Sequence, residues 1–245
     1  MRDSAPIGIV GDGRVASHFQ HYLRLLGNQV RAWSRRTAVA SPVESLAPCE
    51  TVLLLIRDGE IEPFIRRWPA LLEKRLVHFS GSLGTSCAEA AHPLMTFGPD
   101  LYGLDTYCGI PFVLDEGGTP FDQLLPHLPN PWFTIPSSER PYYHALCVMA
   151  GNFSTLLWLK LFEELHGRYG IPTSAAHPYL AQTATNLRVT PEAALTGPLC
   201  RDDRQTIDAN LKALAGDPFS GVYAAFVSAF ERRRLNAPDA SVIDH

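Results

Sequence analysis

Gly11, Gly13 and Ala16 fall at the spacing G-x-G-x-x-A within the stretch Pro6 to Phe19, P-I-G-I-V-G-D-G-R-V-A-S-H-F. Residues of these types at this spacing can cradle a pyrophosphate. Gly11 permits a tight turn, Gly13 lets phosphates approach the backbone at a helix N-terminus, and Ala16 keeps that helix close to the preceding strand. Gly11, Asp12, Gly13, Arg14 and Val15 would then border the ligand. A glycine turn alone is weak evidence, so its flanks decide. Ile7, Ile9 and Val10 form a short apolar run fit for a buried strand. Val15, Phe19, Tyr22, Leu23 and Leu26 share one helical face, the pattern stops at Gly27, and a second strand is expected from Gln29 to Trp33. At the end of that strand an NAD site commonly holds Asp or Glu for the ribose hydroxyls, whereas this chain has Ser34, Arg35 and Arg36. A hydroxyl and two guanidinium groups suit a 2′-phosphate; a solvated basic turn is the plainer alternative. The expected cofactor is therefore NADP, with NADPH as its reduced form.

A second set of residues could move a proton or hold a small substrate. His144 and Gly151 are seven residues apart and share a helical face, so Gly151 leaves space beside the imidazole, while Asn152 offers an amide on the adjacent face. An imidazole, with an ordinary pKa of about 6.5, can deliver a proton near neutral pH. A histidine that merely packs at a seam fits the spacing equally well. Ser80 and Gly81 follow a predicted strand on the carboxyl edge of the sheet, where ligands bind in this architecture. Ser80 either bonds a substrate or a nicotinamide amide, or caps a turn. His92, held extended by Pro93, lines the cleft or ends a strand. Arg201 follows the turn Thr196-Gly197-Pro198 and either clamps a carboxylate substrate or pairs with Asp202 or Asp203.

The elements that must position these residues alternate. Val52 to Ile56 is a continuous apolar run, as a parallel strand buried on both faces requires. Asp58 is expected to cap the helix carrying Ile61, Phe64, Ile65, Trp68 and Leu71. Further strands are expected at Leu76 to Phe79, Leu94 to Phe97, Ile110 to Leu114 and Trp132 to Ile135. This order makes an α/β fold, with a doubly wound dinucleotide-binding domain over residues 1–136. An all-helical domain over 137–245 follows. It opens on an uninterrupted helix from Tyr142 to Tyr169, about 40 Å long, and ends in a loosely held tail from Asn236 to His245.

Composition narrows the function classes. The 245 residues carry 21 basic and 25 acidic side chains, a formal charge of −4, which gives no electrostatic argument for nucleic acid or an anionic membrane. No apolar run approaches the ~20 residues of a membrane span, and the chain reaches its glycine turn too soon for a signal peptide. The five cysteines are scattered, without a C-x-x-C pair, so they read as reduced thiols in a cytoplasmic protein, and no pair has the spacing of a metal site.

Taken in order, several short motifs resemble one family. They are the glycine turn, Phe79-Ser80-Gly81, His92-Pro93-Leu94, Tyr143-His144-Ala145, Gly151-Asn152-Phe153, Thr185-Asn186, and Leu195-Thr196-Gly197-Pro198 with Arg201 and Asp202. Over nearly the whole chain they resemble the bacterial Rossmann-like proteins that carry the additional helical domain DUF2520. That family is similar to the 6-phosphogluconate-dehydrogenase-like reductases. The resemblance implies an NADP-dependent reductase of a small 2-keto acid, ketopantoate (2-dehydropantoate) being the leading substrate. It implies His144, Asn152 and Ser80 as catalytic residues, with His92 and Arg201 at the substrate. There is a departure: related reductases carry a lysine on the long helix, with an asparagine one or two turns later. Here the helix reads His144-x-x-x-Val148-x-x-x-Asn152, and its only lysine, Lys160, lies farther along. His144 is the natural replacement if the chemistry is kept. A catalytically silent NADP-binding sensor or subunit, or a reductase of a cyclic imine, are the other outcomes. Leu156, Leu157, Trp158, Leu161 and Phe162 extend around more than one helical face, which implies a homodimer through the helical domain.

Overall fold

Alternation along the short apolar strands builds the sheet. In the computed structural model, which describes residues 5–235, the first strand, β1 (Ile7–Val10), turns Ile7 and Ile9 to one face and Val10 to the other. Helix α1 (Arg14–Leu25) lays Phe19, Tyr22 and Leu23 over the first face and stops before Gly27, whose φ of 78° a side chain would strain. Then come β2 (Val30–Trp33), the short α2 (Pro42–Ser45) closed by a Ser41–Glu44 capping box, and β3 (Thr51–Leu54). Helix α3 (Asp58–Arg67) packs Ile61 and Ile65 on the opposite face with Val10, Leu54 and Leu76. The order continues through β4 (Arg75–His78), β5 (Glu89–Pro93), α4 (Leu104–Cys108), β6 (Phe112–Asp115), α5 (Phe121–Leu124) and β7 (Trp132–Ile135).

These strands form one seven-stranded sheet in the order β2-β1-β3-β4-β5-β6-β7. Every neighbouring pair is parallel except β5 and β6. β1 has β2 on one side and β3 on the other, which is the switch point where ligands bind in open α/β sheets.

One strand and one helix cap need correction. The fifth strand is Glu89–Pro93, not Leu94 to Phe97. Its sequence, E-A-A-H-P, has no apolar run, and its neighbours define it: β4 on one side, β6 on the other, and Glu89 accepting bonds from the Thr119 N–H and hydroxyl at 2.9 and 3.0 Å. Leu94 and Met95 are exposed instead. Asp58 is not the cap of α3 but its first residue; Arg57 holds the cap position, and the Asp58 carboxylate bonds elsewhere.

The chain divides into compact units at Met1–Leu159 and Lys160–His245, later than the expected boundary after residue 136. The cause is the head of the long helix. Helix α6 (Arg140–Val148) is tied to the sheet by Arg140 and by Tyr143, so its first turns belong to the strands. The long helix is not uninterrupted α-helix either. Between α6 and α7 (Ser154–Tyr169) runs a π-helical turn, Met149–Phe153. Its spare carbonyls are met by hydroxyls: Thr155 donates to Gly151 O at 2.8 Å, and Ser154 donates to Gly151 O at 3.0 Å and to Ala150 O.

The whole helical run, Ser137–Tyr169, spans 33 residues; its most apolar window has a mean hydropathy of 1.5 and no buried residue. By length and composition it could cross a membrane, which corrects the expectation that no apolar run comes near that size. The second unit holds the rest of α7 and three helices, α8 (His177–Val189), α9 (Arg204–Ala213) and α10 (Ser220–Leu235). Asp203 caps α9 by accepting from the Thr206 N–H, and Lys160 pairs with Asp217 at 2.8 Å. The expected tail, Asn236 to His245, lies outside the described residues.

Candidate functional site

The glycine turn leaves β1 with Gly11 at φ 127°, and a Cβ there would overlap the Leu55 carbonyl. Only glycine lets the turn pass so close to β3. Gly13 differs: no atom stands within 4 Å of where its Cβ would be, and as the N-cap of α1 it offers no side-chain cap. The first N–H groups of α1 therefore face open space, with the positive end of the helix dipole behind them. That space is a cavity of about 860 Å³ lined by Gly11, Asp12, Gly13, Arg14 and Val15, by Ser34, Arg35 and Arg36, and by Leu55 to Arg57. Every sequence-expected cofactor residue thus lines one cavity. Arg57, Glu60 and Arg67 also line it and had no sequence motif to reveal them.

The basic wall carries its own counter-charges. Arg36 Nε donates to Asp12 Oδ2 at 2.7 Å, and Arg35 Nη1 to Glu60 Oε2 at 3.5 Å. Bonds from Arg36 and then Ser34 hold the Asp12 carboxyl below the usual carboxylate range. Ser34 is buried, with its hydroxyl 2.8 Å from Thr37 Oγ1. Both arginine side chains are about three-quarters exposed, so either can swing to a ligand at little cost.

Farther along the carboxyl edge, three histidines gather around Gly81 and Arg140. Arg140 is fully buried; it pairs with Asp115 and donates to Ser80 O and Val113 O, each at 3.2 Å. It therefore locks the start of α6 against the ends of β4 and β6. His144 comes one turn later. A Cβ on Gly81 would overlap His144 Nδ1 and stand 3.0 Å from His92 Nε2, so only glycine leaves room for both rings. The two rings lie nearly perpendicular, centroids 5.7 Å apart. His92 Nδ1 is 2.8 Å from the Tyr143 hydroxyl. His144 Nδ1 and both nitrogens of His78 are buried without a protein partner.

Charge in this cluster is discouraged. Burial first, then the His144 and Arg140 charges, push the His92 pKa down to about 4. Burial and Arg140 do the same for His78, also to about 4. Tyr143 moves well up, through burial and the neighbouring Cys147 thiol, so it keeps its proton.

Ser80 is brought to this edge with its hydroxyl already engaged. It donates to Asp58 Oδ2 at 2.6 Å and accepts from the Ser82 and Leu83 N–H groups at 3.2 and 2.9 Å. A substrate would compete with Asp58 for that proton. Asn152 lies exposed in the π turn. On a straight α-helix it would stand about 80° from His144; the extra residue of a π turn brings the two within about 20° of one face. Arg201 lies exposed in a turn of the second unit, and Asp202 pairs with Arg204 and Arg234 instead.

Spacing did not reveal Arg140, Asp115, His78 or the Asp58 tie. A histidine inside the apolar strand R-L-V-H and an arginine just before Pro141 were the faint marks available. Among the described residues no group of three or more His, Cys, Asp or Glu side chains is arranged to hold a metal.

Residues 115–229 match the model of DUF2520, a domain of unknown function. No curated protein matches the chain by sequence. Among solved structures, a candidate NADP oxidoreductase of Bacteroides fragilis is 22% identical, with a TM-score of 0.73 over 94% of this chain and 99% of that one. A Streptomyces aurantiacus imine reductase is 14% identical, with a TM-score of 0.63 over 94% of each chain. A reductive aminase from Aspergillus terreus, in complex with NADPH and ethyl-5-oxohexanoate, is 15% identical, with a TM-score of 0.61 over 96% of this chain and 95% of that one. At these identities the likeness is one of fold. Residues 115–229 are thus similar to DUF2520, and the strands that precede them form a Rossmann-like sheet.

Proposed function

We propose that this protein is an NADP-dependent reductase of a small carbonyl or imine compound. The observation that carries the reading is the cavity at the switch point, where the uncapped N-terminus of α1 faces Ser34, Arg35 and Arg36 across open space. The residues fit a dinucleotide phosphate. Gly13 gives it room, the α1 N–H groups and dipole suit a pyrophosphate, and the two exposed guanidinium groups suit a 2′-phosphate. Bound NADPH would supply the hydride for the electrophilic carbon of the substrate.

The chain's own task is then to hold the substrate and provide one proton. His144 donates it to the oxygen or nitrogen that receives the π electron pair. Asn152, on nearly the same helical face, orients the substrate through its amide. Arg140 keeps the head of α6 on the sheet edge, and Ser80, through Asp58, fixes the loop that faces His144.

A 2-keto acid, ketopantoate first, is the leading substrate class. Imines are the second, favoured by the fold shared with an imine reductase and a reductive aminase. Arg140, the buried cation of the cluster, is already paired with Asp115, which leaves a keto acid's carboxylate to seek another partner. Assembly is a homodimer, with a second copy on the apolar stripe of the long helix. Leu146, Met149, Phe153, Leu156 and Leu157 are exposed there. The deciding experiment follows NADPH oxidation with ketopantoate, other 2-keto acids and cyclic imines. Turnover of one class assigns the substrate; tight NADPH binding without turnover on any of them supports the silent NADP-binding alternative.

A further inference from the structure

We propose that His92 is the positioning partner of His144, and that the two imidazoles share a single proton across the notch left by Gly81. The inference rests on the reading of His144 as the proton donor and deepens it. It also replaces the expectation that His92 touches substrate.

The geometry is a chain of three side chains. The Tyr143 hydroxyl meets His92 Nδ1 at 2.8 Å, which fixes one end of that ring. Its other nitrogen, Nε2, points to the same spot beside Gly81 as the orphaned Nδ1 of His144. A donor histidine works only when its second nitrogen is held, because that bond sets which nitrogen faces the substrate. His144 Nδ1 has no other partner in the protein, and His92 Nε2 is the polar atom across the notch. Apo bonds of this kind are often long and close when ligand binds.

The surroundings allow one charge, not two. Arg140 is the fixed cation of the cluster and acts on both His92 and His78. Asp58 and Asp115 offset it, while Tyr143, whose pKa is pushed up, and His78, whose pKa is pushed down to about 4, add no charge near neutral pH. A charged His144 therefore faces a neutral His92 that can accept from its Nδ1–H. The Nε2–H of His144 is left for the substrate. When that proton leaves, both rings are neutral and the contact to His92 persists.

The test uses the full-length protein with His92→Phe, His92→Gln and Gly81→Ala. Phenylalanine keeps the ring volume without nitrogens, glutamine restores a polar end, and an alanine Cβ would enter the notch. The first readout is the ¹⁵N spectrum of the His144 imidazole without cofactor or substrate, which reports whether one tautomer is held. The expected result is a single tautomer in the unmodified protein and in His92→Gln, and a mixture in His92→Phe and Gly81→Ala. The second is NADPH-dependent turnover, where His92→Phe should lose up to about a hundredfold in kcat with KM unchanged, and His92→Gln should recover most of it. If His92→Phe fails to fold, Gly81→Ala decides. An unchanged His144 spectrum in both variants overturns the proposal, as does a rise in KM with kcat intact, which would return His92 to the substrate. A fixed tautomer in a protein that turns over no carbonyl or imine would keep the pair and reject the reductase.

Discussion

Ser80 Oγ lies 2.6 Å from Asp58 Oδ2, and this bond joins the two halves of the candidate site. Asp58 directly follows Arg57, which lines the large cavity, and Ser80 directly precedes Gly81, on which the histidines converge. The loops after β3 and β4 are therefore tied to each other at Asp58. The Ser82 hydroxyl adds a second tie to the same carboxylate oxygen, at 3.2 Å.

Cofactor choice should follow the two exposed arginines. Replacing Arg35 and Arg36 with alanine is expected to weaken NADPH about ten- to hundredfold while leaving NADH nearly unchanged, since only NADPH carries the group they would hold. Fluorescence titration of both cofactors measures this. Equal losses would remove the 2′-phosphate reading.

The chemical step should depend on His144 and Asn152 in different ways. His144→Ala is expected to lower kcat by about 10²–10⁴-fold with NADPH affinity preserved, the usual worth of a general acid. Asn152→Ala should raise KM as well, because it deletes a binding contact. Steady-state kinetics on the best substrate separates the two, and full turnover in His144→Ala would send the search to another donor.

Stability should depend on Arg140 more than on any surface ion pair. Arg140→Met keeps much of the bulk but leaves Asp115 and two carbonyls without their donor. Breaking a pair of this kind costs about 3 kcal/mol, less where the partner retains solvent contact, as Asp115 does. Chemical denaturation gives the value. A loss like that of Arg66→Met, whose partner Glu62 is at the surface, would contradict it.

Acid should loosen the fold before the carboxylates titrate. His78 and His92 hold their pKa near 4 when folded, against about 6.5 when unfolded. Between those values the unfolded chain binds more protons, so stability is full above about pH 6.5 and falls as the pH drops towards 4. Each histidine contributes a slope of up to about 1.4 kcal/mol per pH unit. His78→Phe should flatten the melting temperature across that window; an unchanged slope would refute the assignment.

Assembly is checked by light scattering. A dimer of the 27.0 kDa chain is expected at micromolar concentration, and Leu156→Glu with Leu157→Glu should return it to a monomer. A monomer in the unmodified protein would reject the seam, and partition of the chain into lipid vesicles would assign the stripe to a membrane instead.

How far the sequence could be read depended on the range of each interaction. β1 and β3 were legible because a strand buried on both faces must be written as an apolar run. β5 was not, since E-A-A-H-P is a strand only by virtue of its neighbours. The glycine turn and Ser34-Arg35-Arg36 carried the cavity because backbone geometry is local. Asp58 misled for the opposite reason: a carboxylate at a helix start reads as a cap, yet its partner Ser80 is twenty-two residues away in the chain. His144, His92 and Gly81 each stood out alone, but their notch joins three separate elements, and no spacing along the chain showed that they meet.

The π turn sets an angular phase along the helix. Arg140 fixes the orientation of its head, so the extra residue at Met149–Phe153 decides which way Leu156, Leu157 and Leu159 point relative to His144. Removing one residue there would rotate everything beyond it by about 100° while leaving every side chain in place by type. Composition would be almost unchanged. The apolar stripe and His144 would simply no longer be in register, so a deletion of one residue would cost more here than many substitutions.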